Sequence, residues 1–387
     1  MLGFDAITSG DLYFNDTHHM LRAQLRRFVA EEIKPYGDQW EADGLTPRAV
    51  LRRMGELGFF GIRYPEAFGG SDMDQMASVV LAEELGRCTY AGVAITALVH
   101  TDMASVHIFN AGSAAQKAAW LPRCIAGEVI TAVAVTEPGA GSDVKGIRTT
   151  ARRDGDVFVL NGTKMFITNG VHGDLYCVAA KTGGERASQS VTMFLVEKGT
   201  PGFTVSRALD KHGWRSSDTA ELSFADARVP AENLLGTEGR GFYEIMKNFQ
   251  NERLVLGAMC LGEAQAAMEM TLDYLRARSA FGAPLWEKQA IRQRMAALAA
   301  RIEAARHLVY GTAARAAKGA DVVREVSMIK ALCGDLVNDV MYACVQFHGG
   351  MGFMCESPIE RMARDARVQS IGGGATEVML EEVARRL

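Results

Sequence analysis

The chain of 387 residues is long enough for two or three structural domains around a substantial core. Hydrophobic residues make up 48% and charged residues 23%, the balance of a globular chain, which excludes disorder, collagen and a fibrous coiled coil as its main character. With 42 Lys and Arg against 46 Asp and Glu, the net charge of -4 leaves no basic surplus for a nucleic-acid backbone.

Hydrophobic periodicity divides the chain into three zones. The first, to about residue 128, reads as helices. Asp16 or Thr17 is placed to cap a helix that carries Leu21, Leu25, Phe28, Val29 and Ile33 on one face, and Pro35 stops it. Thr46-Pro47 repeats the signal as a cap followed by proline at the first helical position. An apolar helix follows near 91–110, and Ser113 caps another. From Ala94 to Ile108 that helix is apolar nearly all round, so it is expected to be buried or to line a cavity. No unbroken apolar run reaches the roughly 18 residues of a membrane span, and the acids of MLGFDAITSGDLYFND are unlike a secretory signal. The expectation is a cytoplasmic protein without a membrane span. Cysteines at 88, 124, 177, 260, 333, 344 and 355 are odd in number and form no CxxC pair, which suits reduced thiols. The histidines form no HxxxH or HxH group, so no metal site is expected.

The second zone, about 130–236, changes to a period of two. Short strands are expected at 131–135, 149–152, 157–160, 164–167, 175–180, 191–196, 203–206 and 220–224. Asp154-Gly155, Asn161-Gly162 and Asn169-Gly170 read as turns between them. Such spacing suits an antiparallel barrel or sandwich. The third zone returns to long helices at 241–278, 285–318 and 322–346, with a short one after Thr376, as in a four-helix bundle. The fold class is therefore α+β, with a helical domain 1–128, a β-domain 129–238 and a helical bundle 239–387.

Four segments carry chemical signals. In TEPGAGSD the glycines Gly139 and Gly141 let backbone approach a ligand, and Thr136 and Ser142 supply hydroxyls. Val144 stands where a GxGxxG turn needs glycine, so this is no Rossmann dinucleotide site. In NGTKMFITNG, Phe166 and Thr168 share a face by the two-residue period, an aromatic and a hydroxyl suited to a stacked ring system. Glu252 and Arg253 precede nine uncharged residues, Leu254 to Gly262. A carboxylate at the edge of so apolar a helix is either paired or functional, and desolvation raises its pKa towards that of a general base. Gly372-Gly373-Gly374 precedes Thr376, placed to cap the last helix, and leaves amides free for an oxyanion.

Taken in order, AVAVTEPGAGSD, NGTKMFITNG, RSAFGAPLWEKQA, VQFHGGMGFM and RDARVQSIGGGATE resemble the acyl-CoA dehydrogenase family over essentially the whole chain, most nearly its long-chain branch. The surroundings of Glu252 are similar to isovaleryl-CoA dehydrogenases. The resemblance implies N-terminal helices, a central β-domain, a C-terminal four-helix bundle and a homotetramer of paired dimers. It implies non-covalent FAD, with Val135, Thr136, Ser142, Phe166 and Thr168 on the flavin and pyrophosphate. Arg278, Phe281, Gln289, Gln346 and Gly350 match positions that meet the cofactor across a dimer interface, and Thr376 and Glu377 match the last contacts. Many members carry the base in the loop where this chain has Gly373; the long-chain and isovaleryl members carry it at the position of Glu252. The implied reaction is α,β-dehydrogenation of an acyl-CoA, with Glu252 taking the α-proton and the Gly373 N–H on the thioester oxygen. Ser142, Gln250 and Arg253 match positions near the CoA moiety, and Ile95 and Val99 fall where relatives close the acyl pocket. An electron-transfer flavoprotein is the implied acceptor. Ala375 replaces a threonine and Gly372 an aromatic that are common in the family. The same scaffold also serves carrier-protein thioester dehydrogenases and flavin monooxygenases or oxidases; Glu252 beside Arg253 favours the thioester reaction.

Overall fold

The computed structural model describes residues 10–183 and 190–387; the N-terminal segment through Ser9, part of the stretch read against a secretory signal, lies outside them. The N-terminal helices are α1 (Gly10–Tyr13), α2 (Asp16–Phe28), α3 (Gly37–Asp43), α4 (Arg48–Glu56), α5 (Gln75–Gly86), α6 (Ala91–Leu98), α7 (Ser105–Ala111) and α8 (Ala114–Ile125). The cap of α2 is Asn15 rather than Asp16 or Thr17: its side chain accepts from His18 N at 3.0 Å while His18 Nδ1 accepts from Asn15 N at 3.2 Å. That reciprocal pair satisfies two end amides at once, so the helix starts one residue earlier. Pro47 is the cap of α4 rather than its first residue, because the Thr46 hydroxyl is drawn away to Ser216 O at 2.7 Å. Ser113 caps α8, with Gln116 completing the box.

α6 and α7 form one rod joined by a π-helical turn, Val99–Ala104. By length and composition this rod, Ala91–Ala111, would cross a membrane, yet its most apolar window is 94% buried within the protein. It is a core helix, which is what an all-round apolar surface requires.

Strands β1 (Thr131–Ala134), β2 (Thr150–Asp154), β3 (Val157–Thr168), β4 (Leu175–Lys181), β5 (Val191–Glu197), β6 (Phe203–Ala208), β7 (Thr219–Pro230) and β8 (Leu234–Leu235) build one eight-stranded mixed sheet. Its order is β6-β7-β3-β2-β4-β5-β8, mostly antiparallel, with β1 parallel to β4. The strands expected at 157–160 and 164–167 are a single strand, and Asn161-Gly162 is no turn. The reason is the equally long β7, which pairs with both halves while register shifts at Leu160/Gly162 and Lys164/Ile167 absorb the irregularity. β4 is buried on both faces: Leu175, Cys177 and Ala179 join a core with α7 and α8, and Tyr176, Val178 and Ala180 join the core inside the sheet.

The C-terminal part contains α9 (Gly241–Ala277), α10 (Gln289–Ala317), α11 (Val323–His348), α12 (Pro358–Ala366) and α13 (Thr376–Ala384). α9, α10 and α11 pack together, α13 lies against α11, and α9 also packs on α5. That last contact is backbone-close, since a Cβ at Gly262 would meet Glu83 O at 2.0 Å. With 37 residues, α9 spans about 55 Å.

Candidate active site

Glu252 lies on α9 with 6% of its surface exposed. Burial raises its pKa from 4.5 to about 8, against the opposing effects of a hydrogen bond from Asn248 and the charge of Arg253. Among the described residues no cation comes within ion-pair distance of the carboxylate. Arg253 instead stands over the Phe249 ring at 5.4 Å, its Nε without a partner.

The glycine loop covers the same face of α9. Gly373 has φ +68°, and a Cβ there would meet Leu256 Cδ1 at 2.5 Å. Leu256 follows Glu252 by four residues, so both project from one face of the helix. The Gly373 N–H has no hydrogen-bond partner among the described residues. α11 holds the loop: Lys330 Nζ donates to Gln369 O at 2.5 Å and to Gly374 O at 3.1 Å, bracketing Gly373. Asn338 Nδ2 donates to Ala366 O at 3.0 Å, and Asp335 accepts from Ser370 Oγ and Thr376 Oγ1 at 3.0 and 2.9 Å. Thr376 is therefore the first residue of α13 rather than its cap, which is Ala375 without a side-chain bond. Asp335, opposite on α11, takes the hydroxyl that would otherwise fold back on the helix start. Glu377 is exposed.

On the sheet side a buried ion pair shapes the TEPGAGSD loop. Lys164 Nζ donates to Glu137 Oε1 at 2.8 Å and to Val135 O at 3.0 Å. The Glu137 carboxylate also accepts the amides of Arg148 and Thr149, at 2.5 and 3.0 Å. Both ends of the loop are thus closed on one carboxylate, which carries Gly139, Gly141 and Ser142 out to the surface. Met165 N binds Thr136 O at 2.9 Å, laying the loop beside β3. Phe166 follows, with φ +60° at the bulge and its ring 67% exposed. A left-handed aromatic held out of the sheet by a bulge is a strained arrangement of the kind found at functional sites. An exposed ring, the half-buried hydroxyls of Thr136 and Thr168 and an open glycine loop fit a planar flavin with a pyrophosphate tail.

Arg278, Phe281, Gln289, Gln346 and Gly350 gather elsewhere, where α9 and α11 end together. Tyr274 stacks on His348 at 4.3 Å and donates to His348 O at 3.3 Å. Phe281 again combines positive φ, 53°, with 97% exposure. From Glu252 to Arg278, 26 residues along α9 in the sequence, is about 39 Å. The cluster therefore lies far along α9 from Glu252.

The rod α6–α7 walls the base. Ile95 and Val99 are buried, and Met103, one turn on, is 5% exposed. Asn169, at the end of β3, donates to Thr96 O and Thr131 O, both at 3.1 Å, and so ties the strand to this wall. A cavity of about 280 Å³ opens on the neighbouring face of α9, where Asn248, Gln250, Asn251 and Leu254 meet Asp102 and Val106. It includes Gln250 but not Glu252.

Sequence reading missed Asn248, Lys330, Lys164 and Glu137. Only Asn248 had a local signal, its four-residue spacing from Glu252 on one helix.

The chain matches the family models for acyl-CoA dehydrogenase N-terminal, middle and C-terminal domains over residues 15–128, 132–227 and 239–387. It is similar to the mitochondrial long-chain specific acyl-CoA dehydrogenase of Rattus norvegicus, 39% identical over 97% of this chain and 87% of that protein. It is 38% identical to an acyl-CoA dehydrogenase of Bacillus subtilis, over 93% of this chain and 94% of that one. The crystal structure of acyl-CoA dehydrogenase from Geobacillus kaustophilus superposes with a TM-score of 0.93 at 41% identity, covering 97% of this chain and 98% of that one.

Proposed function

The chain belongs to the acyl-CoA dehydrogenase family of FAD-dependent oxidoreductases, and from that premise we propose that it converts an acyl-CoA thioester to its trans-2-enoyl product, with Glu252 as the base. The observation that carries the reading is Glu252 itself: a buried carboxyl with no ion-pair partner among the described residues, whose pKa of about 8 suits proton transfer near neutral pH. Burial leaves the carboxylate with one hydrogen bond among the described residues, from Asn248, so it is only weakly stabilised before the reaction.

An α-proton beside a thioester is too weakly acidic to leave unaided. The unpartnered Gly373 N–H, on the loop over the Glu252 face, is the group to bind the thioester oxygen as charge develops there. Being main chain, this donor is independent of the side chain at 373. Bound FAD supplies the acceptor for the β-hydrogen, which leaves as hydride. Val135, Thr136, Ser142, Phe166 and Thr168 would hold it from one subunit, with Thr376 and Glu377 beside the loop. Arg278, Phe281, Gln289, Gln346 and Gly350 would hold it from a second, which suits a tetramer of paired dimers. Gln250, Arg253 and Ser142 would face the CoA moiety. Ile95 and Val99, apolar and modest in size, suit a medium, long or branched acyl chain, and an electron-transfer flavoprotein would take the electrons.

The test is anaerobic addition of acyl-CoAs of increasing length to the yellow holoprotein while the flavin absorption is followed. Bleaching with one length class is expected, and Glu252→Gln should keep FAD and bind substrate yet nearly abolish bleaching. A Glu252→Gln variant that reduces its flavin at the native rate would falsify the base assignment.

A further inference from the structure

The Glu252 carboxylate has a single hydrogen-bond partner among the described residues, and that partner is anchored outside the site. Asn248, 2% exposed, donates from Nδ2 to Glu252 Oε1 at 2.9 Å. The other hydrogen of Nδ2 goes to the backbone oxygen of Met103 at 3.0 Å. Met103 belongs to the π-helical turn Val99–Ala104 in the wall of the site. Four successive carbonyls of this turn accept side chains: His100 O from Thr131, Thr101 O from Tyr64, Asp102 O from Asn251 and Met103 O from Asn248. A widened turn keeps its buried carbonyls satisfied in this way.

The arrangement allows only one orientation of the amide. Reversed, Asn248 would set its own oxygen against the Met103 carbonyl, so Nδ2 must face both acceptors. With Nδ2 on it, Glu252 Oε1 is the poorer seat for a proton, since the hydroxyl oxygen of the neutral acid accepts an N–H less well than its carbonyl oxygen does. Oε2 accepts no hydrogen bond among the described residues. We propose that Asn248 is the positioning residue of the proton-transfer step: held by the Met103 carbonyl, it occupies Glu252 Oε1 and leaves Oε2 as the oxygen that takes the α-proton. The C2–H bond breaks, its electron pair moves towards the thioester carbonyl, and the O–H bond forms at Oε2. The Asn248 bond survives the transfer, because the carbonyl oxygen of the neutral acid still accepts. The proposal rests on Glu252 being the base.

The other groups facing this pair are few. On α9 itself Arg253 lies beside Glu252, with Glu382 of α13, Arg386 just beyond that helix and Lys330 of α11 acting on it. From the wall, burial holds His107, 3.5 Å from Asn248 Nδ2, at a pKa of about 4 and hence neutral, and Asp102 is engaged by Ser78 and Asn251. Among the described residues only Asn248 hydrogen-bonds to the carboxylate.

The test compares holoprotein variants by two readouts: flavin reduction against pH, and infrared titration of the Glu252 carboxyl, assigned by its loss in Glu252→Gln. Asn248→Ala removes a donor that favours the ionised form. The carboxyl midpoint should rise by about one to two pH units and reduction at neutral pH should fall roughly ten- to a hundredfold, with KM little changed. Asn248→Ser, a shorter donor, should give a smaller shift of the same sign. Asn248→Asp keeps the shape, lacks the donor and should shift the midpoint most. An unmoved carboxyl midpoint in any variant that retains FAD overturns the proposal, as does a rate loss equal at every pH. Loss of FAD from all three variants assigns Asn248 to the fold instead and overturns it too. If Glu252→Gln is inactive while Asn248→Ala behaves as the native protein, this inference alone fails. If Glu252→Gln still reduces its flavin, the base reading fails first.

Discussion

Replacing Glu252 with glutamine is expected to stabilise the protein, by an amount that depends on pH. The carboxyl is buried, and its pKa stands at about 8 against 4.5 for the exposed group. Below pH 4.5 both folded and unfolded chains hold the proton, and the pair contributes no pH dependence. Between those values the unfolded chain releases a proton that the folded chain keeps, so native stability falls as pH rises. Across the window, at about 1.4 kcal/mol per unit, the loss approaches about 5 kcal/mol. Above pH 8 both states are ionised and the loss levels off. Glutamine has no proton to lose and still accepts from Asn248 Nδ2. Thermal melts of the two holoproteins from pH 5 to pH 9 should therefore show the variant's advantage widening to about pH 8 and then holding constant. The buried Glu263 and Asp365, raised to about 8 and about 7, titrate in both proteins and cancel in the comparison. A gap that stays the same from pH 5 to pH 9 would refute the account of Glu252 as a desolvated acid.

The same group governs rate with the opposite preference. Only ionised Glu252 accepts a proton, so single-turnover flavin reduction should rise with pH through about 8 and then level. Lys330→Met removes the donors that bracket Gly373, leaving the Gln369 and Gly374 carbonyls unanchored. Stopped-flow reduction should slow by roughly a hundredfold, as for a reacting group misplaced by about 1 Å, while FAD content stays native; an unchanged rate would show that the loop holds its shape without Lys330. Lys164→Met strands the buried Glu137 carboxylate, a loss of about 3–5 kcal/mol. Lower melting temperature and lower flavin-to-protein absorbance should appear together, because one ion pair closes the TEPGAGSD loop.

The zones of helix, strand and helix were readable because periodicity and turn residues act over a few positions. Ser113 was legible as a cap, and the structure added the reciprocal bond of Gln116. Asn161-Gly162 announced a turn that does not exist, since the signal for a hairpin is local while the length of the strand across the sheet, β7, is not. Asp16 and Thr17 lost the capping role to their neighbour Asn15, within the ordinary imprecision of helix ends.

Glu252 was legible as a chemical candidate from one stretch of sequence: a carboxylate followed by nine uncharged residues is either paired or functional, and only packing decides which. Sequence also set the glycine loop at 372–374 and the motifs that carry the family resemblance. What it did not determine is who meets whom. Lys164 and Glu137 lie 27 positions apart and Lys330 and Gln369 39 apart, and each reads alone as an ordinary surface charge or amide. Asn248 and Met103 are 145 apart, and nothing local marks Val99–Ala104 as a π-helical turn. The physical reason is range: helix and turn signals come from neighbours along the chain, whereas desolvation, a buried counterion and an anchored amide exist only after packing has removed water and placed distant backbone against them.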